Sequence, residues 1–248
     1  MLLVLLLTML GTATSVNVNI SNVNYRTNTT GHVMDAHDGS YNRWSPTGPW
    51  YYYAMGYGTC KQGQDMCNGG THCGYGYSWI GVWKSETMAD GTWTLVREAR
   101  DDSWPRNTYF RVHTVFNKKT NLYVMWVNLN GGKADYAVGT SSDAEGPFKF
   151  VTYANAAVAG GGDFDILIDD DDEASAYIIY TGTATGHTMS LEKLDPTYTQ
   201  SLAAGKPPPP VNAETVEALP EHEHQQINFG ERLVSYSDKR SMPIVGVP

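Results

Sequence analysis

Three short segments gather the side chains best suited to chemistry. The first is Asp35-Ala36-His37-Asp38-Gly39-Ser40 and the second Tyr109-Phe110-Arg111-Val112-His113. The third begins Gly162-Asp163-Phe164-Asp165 and runs on to Asp169-Asp170-Asp171-Asp172. Carboxylates far apart in sequence, such as Asp38 and Asp163, could act as an acid and a base on opposite sides of one bond. Hydrolysis of a glycosidic linkage requires such a pair. The plainer alternative is that each caps a turn, as Asp beside Gly often does.

An internal repeat supplies the elements that would position these segments. Ile80-Gly81-Val82-Trp83-Lys84-Ser85 followed by Gly91-Thr92-Trp93 recurs as Tyr136-Ala137-Val138-Gly139-Thr140-Ser141 followed by Gly146-Pro147-Phe148. A Tyr-rich apolar run precedes each copy, Trp50-Tyr51-Tyr52-Tyr53 in one and Leu122-Tyr123-Val124-Met125-Trp126 in the other. A third unit opens with Ala176-Tyr177-Ile178-Ile179-Tyr180 and continues as Met189-Ser190-Leu191-Glu192-Lys193-Leu194. Runs of this kind between Gly, Asn and Asp turns read as units of four short strands, with a period in the range of β-propeller blades. The expected blades cover residues 32–97, 106–152 and 160–201. In a propeller the innermost strand of each blade lines the central axis, so the three chemical segments would meet at one mouth, with Asp38 and Asp163 at equivalent positions. Three blades do not close a ring, which leaves an edge for something else to cover.

Composition agrees with an all-β chain. Gly (25) and Tyr (16) are plentiful among the 248 residues, and Tyr, Trp, Val and Thr favour strands. A net charge of -9, with no stripe of Lys and Arg to offset it, argues against nucleic acid as a partner.

The ends differ from the middle. Leu2 to Leu10 is an apolar run followed by small residues around Ala13 and Ser15, so residues 1–15 read as a signal peptide that leaves a secreted, extracellular protein. The run is too short to span a bilayer, and no later segment is apolar enough, so no membrane partner is expected once the leader is removed. Two glycosylation sequons follow, Asn19-Ile20-Ser21 and Asn28-Thr29-Thr30. At the other end, Pro207-Pro208-Pro209-Pro210 favours extended backbone, and residues 203–248 read as a Pro-rich connector and irregular tail. The three cysteines, Cys60, Cys67 and Cys73, share one Gly-rich loop. They leave open one disulfide with an odd thiol, or a zinc site completed by His72.

The inner segments and the strands that follow them resemble glycoside hydrolase family 43, in particular its exo-β-1,3-galactanase branch. The first-blade likeness is Ala36-His37-Asp38-Gly39-Ser40 before Tyr51-Tyr52-Tyr53-Ala54-Met55-Gly56. The second is Arg111-Val112-His113-Thr114-Val115-Phe116-Asn117-Lys118-Lys119-Thr120 before Tyr123-Val124-Met125-Trp126. Ser141-Ser142 to Gly146-Pro147-Phe148 is a further match, as is Asp163 followed by Leu167-Ile168-Asp169-Asp170-Asp171 and Ala176-Tyr177-Ile178-Ile179-Tyr180. The likeness covers residues 32–201.

That resemblance implies a five-bladed propeller of four-stranded blades, here cut to about three, and inverting hydrolysis of a plant- or algal-type polysaccharide such as a galactan. Carried over by motif, Asp38 is the candidate base, with Asp35 as fallback. Asp163 is the candidate carboxylate that keeps a neighbouring acid protonated. His37, Arg111, His113, Trp44 and Trp104 are candidate sugar contacts, the two tryptophans because an apolar ring stacks on a sugar face. No cofactor and no metal are implied. The galactanase branch has Gly where Asp38 stands and Glu where Phe110 stands. The family's fourth-blade Glu acid has no counterpart in its usual context, with Glu231 the nearest carboxylate. Loss of a general acid costs about 10²–10⁴-fold in rate, so little or no hydrolysis is expected.

The remaining clusters have plainer readings. Asp169 to Glu173 lacks the spacing of a calcium loop and suits a solvated turn. Glu221-His222-Glu223-His224 suits a solvated tail rather than a metal site. Trp50 and Trp79 lie at strand positions and suit the core, and His37 and His113 are as readily hydrogen-bonded core histidines. A non-catalytic carbohydrate-binding propeller and an unstable fragment stand as the alternatives to an enzyme.

Overall fold

In a computed structural model the described residues are 18, 20, 24–57, 78–130, 134–158, 160–169, 172, 174–185, 188–204, 227–229 and 232–234. The leader, Asn19, the three cysteines with His72, residues 170, 171 and 173, the Glu221–His224 run and Glu231 lie outside them. Two units are present, Met1–Gly205 and Lys206–Pro248. In the second, β12 (Ile227–Phe229) and β13 (Arg232–Val234) form an antiparallel hairpin.

The first unit is all-β, with one 3-10 turn at Thr183–Thr185 and no α-helix among the described residues. Its strands form three meanders. The first holds β1 (His37–Arg43), β2 (Trp50–Gly56), β3 (Trp79–Ser85) and β4 (Thr94–Glu98). The second holds β5 (Tyr109–Asn117), β6 (Leu122–Leu129), β7 (Tyr136–Ser141) and β8 (Lys149–Ala154). The third has three strands, β9 (Gly161–Ile168), β10 (Ala176–Gly182) and β11 (Thr188–Lys193). Each meander is antiparallel. A single parallel pairing, Gly39 with Val112, joins the first two at their first strands, and β9 lies alongside β5. The arrangement, an all-β set of curled meanders, is consistent with part of a propeller.

The three Tyr-rich runs become the second strands, β2, β6 and β10. Each sits between two others in its sheet, a position that suits β-branched and aromatic residues. The outer strands β4 and β8 bury less, and Leu95, Val151 and Tyr153 are exposed. Among the described residues the third meander has three strands, and Asp195-Pro196 follows β11. The Asp195 carboxylate accepts from Thr199 N and Gln200 N, which closes a tight turn. The chain then returns for one bridge only, Leu194 with Ser201.

Most of the core lies between meanders, with a further cluster of Met34, Tyr52, Ala54, Trp83 and Trp93 on the first meander itself. Tyr53, Met55 and Ile80 of the first pack with Tyr109, Met125, Val127 and Phe148 of the second. On the second meander's other face, Trp126, Tyr136 and Val138 pack with Phe164, Ile178 and Tyr180 of the third. The repeated Trp93 and Phe148 are both fully buried, and each is bridged in parallel by an upstream segment, at Asn28 and Arg100 respectively.

Candidate functional site

All three first strands open with the same irregularity. One residue of the second strand faces two of the first: Ala54 opposes Asp38-Gly39, Val127 opposes Arg111-Val112, and Thr181 opposes Gly162-Asp163. These are β-bulges, which re-aim side chains at the rims of sheets. The left-handed backbone of a bulge costs a non-Gly residue about 1–3 kcal/mol. Asp38 (φ 44°) and Arg111 (φ 49°) both adopt it. Gly39 is needed for another reason, since a Cβ there would overlap the carbonyl O of Tyr53.

The bulges also correct one expectation. Asp38 and Asp163 do not occupy equivalent positions: by register Asp38 matches Arg111 and Gly162, whereas Asp163 matches Val112 and Gly39. Asp38 is the first residue of its bulge and Asp163 the second of its own, and nothing in the local sequence marks where each bulge falls.

One ion pair and one histidine–carboxylate contact lace β5 to β9. Arg111 Nε lies 2.5 Å from Asp163 Oδ1, and His113 Nδ1 lies 2.8 Å from Asp165 Oδ1, two residues further along both strands. The His113 ring also packs on Phe164, at 4.9 Å between centroids. Arg111 Nη1 donates to Asn128 Oδ1 at 3.3 Å. The buried Asn128 amide donates in turn to the carbonyls of Asp135 (3.0 Å) and Gly161 (3.1 Å). Burial raises the Asp135 carboxyl above its usual range, and its bonds from Ala156 and Gly161 only partly oppose this. With the Arg111–Asp163 pair part-exposed, its stabilising contribution is small. Its consequence is geometric: it fixes a guanidinium and a carboxylate at one level of two neighbouring strands.

Asp38 is exposed and makes no ion pair among the described residues, although its charge, next to burial, helps to raise the Tyr52 hydroxyl to about 12. Asp35 is engaged: Oδ1 accepts from Tyr57 N at 2.9 Å and Oδ2 from Trp79 Nε1 at 3.1 Å. His37 stands 3.6 Å from Asp35 and packs on Tyr57, at 4.5 Å between centroids.

The two candidate sugar platforms, Trp44 and Trp104, are engaged elsewhere. Trp104 is buried, donates from Nε1 to Phe148 O at 2.8 Å and packs edge-on to Tyr109, so its ring belongs to the core between meanders and is no sugar platform. Trp44 lies past the far end of β1, about 20 Å along the strand from His37, bonded to Tyr53 and edge-on to Tyr123. Of the acidic turn, the described Asp169 and Asp172 carboxylates cap it: Asp169 accepts from Asp172 N at 3.3 Å and Asp172 from Ser175 Oγ at 2.7 Å. No metal-binding group of three or more His, Cys, Asp or Glu occurs among the described residues.

Asn128 carries no mark in the sequence, and Asp165, though within the third segment, has no role of its own there until His113 lies beside it. The alternation Asp163-Phe164-Asp165 against Arg111-Val112-His113 does carry the two rungs, but only once β5 and β9 are known to be neighbours.

No protein-family model and no curated protein sequence matches the chain. Solved structures do. The exo-β-1,3-galactanase of Phanerochaete chrysosporium, determined with galactose, superposes with a TM-score of 0.58 at 21% identity, over 73% of this chain and 40% of that one. The exo-β-1,3-galactanase of Clostridium thermocellum gives 0.56 at 20%, over 73% and 39%. A family 43 β-1,3-galactosidase bound to galactodeoxynojirimycin gives 0.56 at 17%, over 74% and 65%. The chain thus spans about two fifths of the length of the galactanases it matches. The likeness to glycoside hydrolase family 43 and its galactanase branch, first read from the inner-strand motifs, holds in three dimensions as a likeness of fold.

Proposed function

We propose that this chain is a secreted, family 43-like protein holding three blades of a five-bladed propeller, and that it binds galactan-type oligosaccharides where β1, β5 and β9 begin. The observation that carries the reading is the Arg111–Asp163 pair, set by two bulged strands at one level of the fold. A guanidinium and a carboxylate held in this way offer donors and acceptors to vicinal sugar hydroxyls. The galactanase and galactosidase of similar fold were determined with galactose and with galactodeoxynojirimycin, which supports a galactose-type ligand.

In the family's inverting reaction Asp38 would serve as base, and Asp163 would keep a neighbouring acid protonated. That acid has no counterpart in its family context here, so the proposal is binding with little or no turnover. Asp38 is exposed and free to face a water or a sugar hydroxyl, whereas Asp35 is held by backbone and indole N–H groups. Asp38 is therefore preferred to Asp35 for the base position.

Titration calorimetry with β-1,3-galactotriose tests the reading. Binding is expected, weakened at least tenfold in Asp163→Asn, with no release of galactose on prolonged incubation. Absence of binding by the folded protein would sink it. Release of galactose would restore a hydrolase and require another carboxyl as acid. Recovery from culture medium with residues 1–15 removed tests secretion.

A further inference from the structure

We infer that Asn28 is an N-glycosylation site on the outer rim of the first meander; this rests on the secretory reading above. The sequon Asn28-Thr29-Thr30 occupies a tight hairpin closed by Asn28 N to His32 O (2.9 Å) and by the antiparallel pair Thr27 with Val33. The carboxamide is held by one atom. Oδ1 accepts from Thr30 N (3.0 Å), Thr30 Oγ1 (2.7 Å) and His32 N (3.0 Å), while Nδ2 has no partner among the described residues. The atom that would carry a glycan is thus the one the fold leaves unused, and the hydroxyl that defines the sequon already meets the same side chain. There is room as well: Thr29, Thr30 and Gly31 are exposed, and a Cβ added at Gly31 would meet nothing within 4 Å.

The location is compatible with ligand binding. Asn28 bridges Trp93 at the start of β4, three strands out from β1, or roughly 14 Å at the usual strand spacing. The donor class is an oligosaccharide linked to a polyprenyl diphosphate. Nδ2 attacks the anomeric carbon, the C–N bond forms, the bond from that carbon to the diphosphate oxygen breaks, and one N–H proton passes to base. The products are the glycosylated amide and free polyprenyl diphosphate.

The test is expression of the full chain in a eukaryotic secretory host in two forms, one with its own residues 1–15 and one with a host leader in their place. Protein from the medium is treated with a peptide amidase in heavy-oxygen water, which converts a glycosylated Asn to a labelled Asp. Label at residue 28 is expected, lost in Thr30→Ala and kept in Thr30→Ser, and Asn28→Gln should remove one glycan from the intact mass. An unlabelled Asn28 in the host-leader form would overturn the proposal. Label there, with the native form retained uncleaved in cells, would support the site and sink the secretory reading instead.

Discussion

The second and third meanders share a bulged first strand and a Tyr-rich second strand, yet their environments differ. Strand β6 is buried nearly throughout, with Met125 and Val127 against the first meander and Val124 and Trp126 against the third. Strand β10 alternates: Ala176, Ile178 and Tyr180 are buried, while Tyr177 and Ile179 stay part-exposed. Beside them on β11, Met189 and Leu191 are 50% and 52% exposed. The repeat therefore specifies two-sided burial, and the third meander receives it on one side only. A sheet of this type completes its core through its neighbours rather than within itself.

The largest effect should come from Trp126→Ala. This ring is 1% exposed, donates to Tyr198 O at 2.7 Å and sits between the second and third meanders. A loss of about 3–5 kcal/mol is expected, read by denaturant unfolding; a loss near zero would mean that these meanders do not unfold as one unit. Next is Glu192→Ala in the third meander. This buried carboxylate accepts from Ala157 N at 3.0 Å and from the hydroxyls of Tyr180 and Ser201. With several bonds lost together, about 2–3 kcal/mol is expected from the same measurement.

A smaller effect separates the two first-turn caps. In the second meander a neutral amide, Asn117, accepts from Lys119 N and Thr120 N. In the third, Asp172 accepts from Ser175, whose hydroxyl holds the carboxyl below its usual range. A lowered carboxyl contributes stability above its unfolded pKa and loses it as pH falls through the folded value. Ser175→Ala should therefore destabilise at neutral pH and converge with the parent in acid, whereas Asn117→Ala should cost the same at both. Parallel pH–melting curves for the two variants would refute the distinction.

The smallest effect tests the exposed face. Leu191→Lys should leave the melting transition within about 0.5 kcal/mol of the parent. A much larger loss would show that something covers β11 in solution.

Much of this was legible in the residues. The Tyr-rich runs mark the second strands, the paired Trp93 and Phe148 mark matching core plugs, and both members of the Arg111–Asp163 pair stand out by type. What stayed hidden depends on long-range register. Asp38 is the first residue of its bulge and Asp163 the second of its own, a one-place offset visible only once the ladders are aligned. The third meander has three strands among the described residues, where the repeat predicts four. Trp104 looks like a loop aromatic until Phe148 and Tyr109 close around it, because ring chemistry serves a core and a sugar platform equally well.

The pairing of Arg111 with Asp163 also bears on which sugars could be admitted. The cation is already matched, and Asp38 and Asp165 add negative charge nearby, within a chain of net charge -9. A uronic acid approaching the starts of these strands would meet repulsion, since the Arg111 cation there is already paired. A neutral hexose would meet only hydrogen-bonding groups, so the site would sort acidic polysaccharides from neutral ones before any hydroxyl is read.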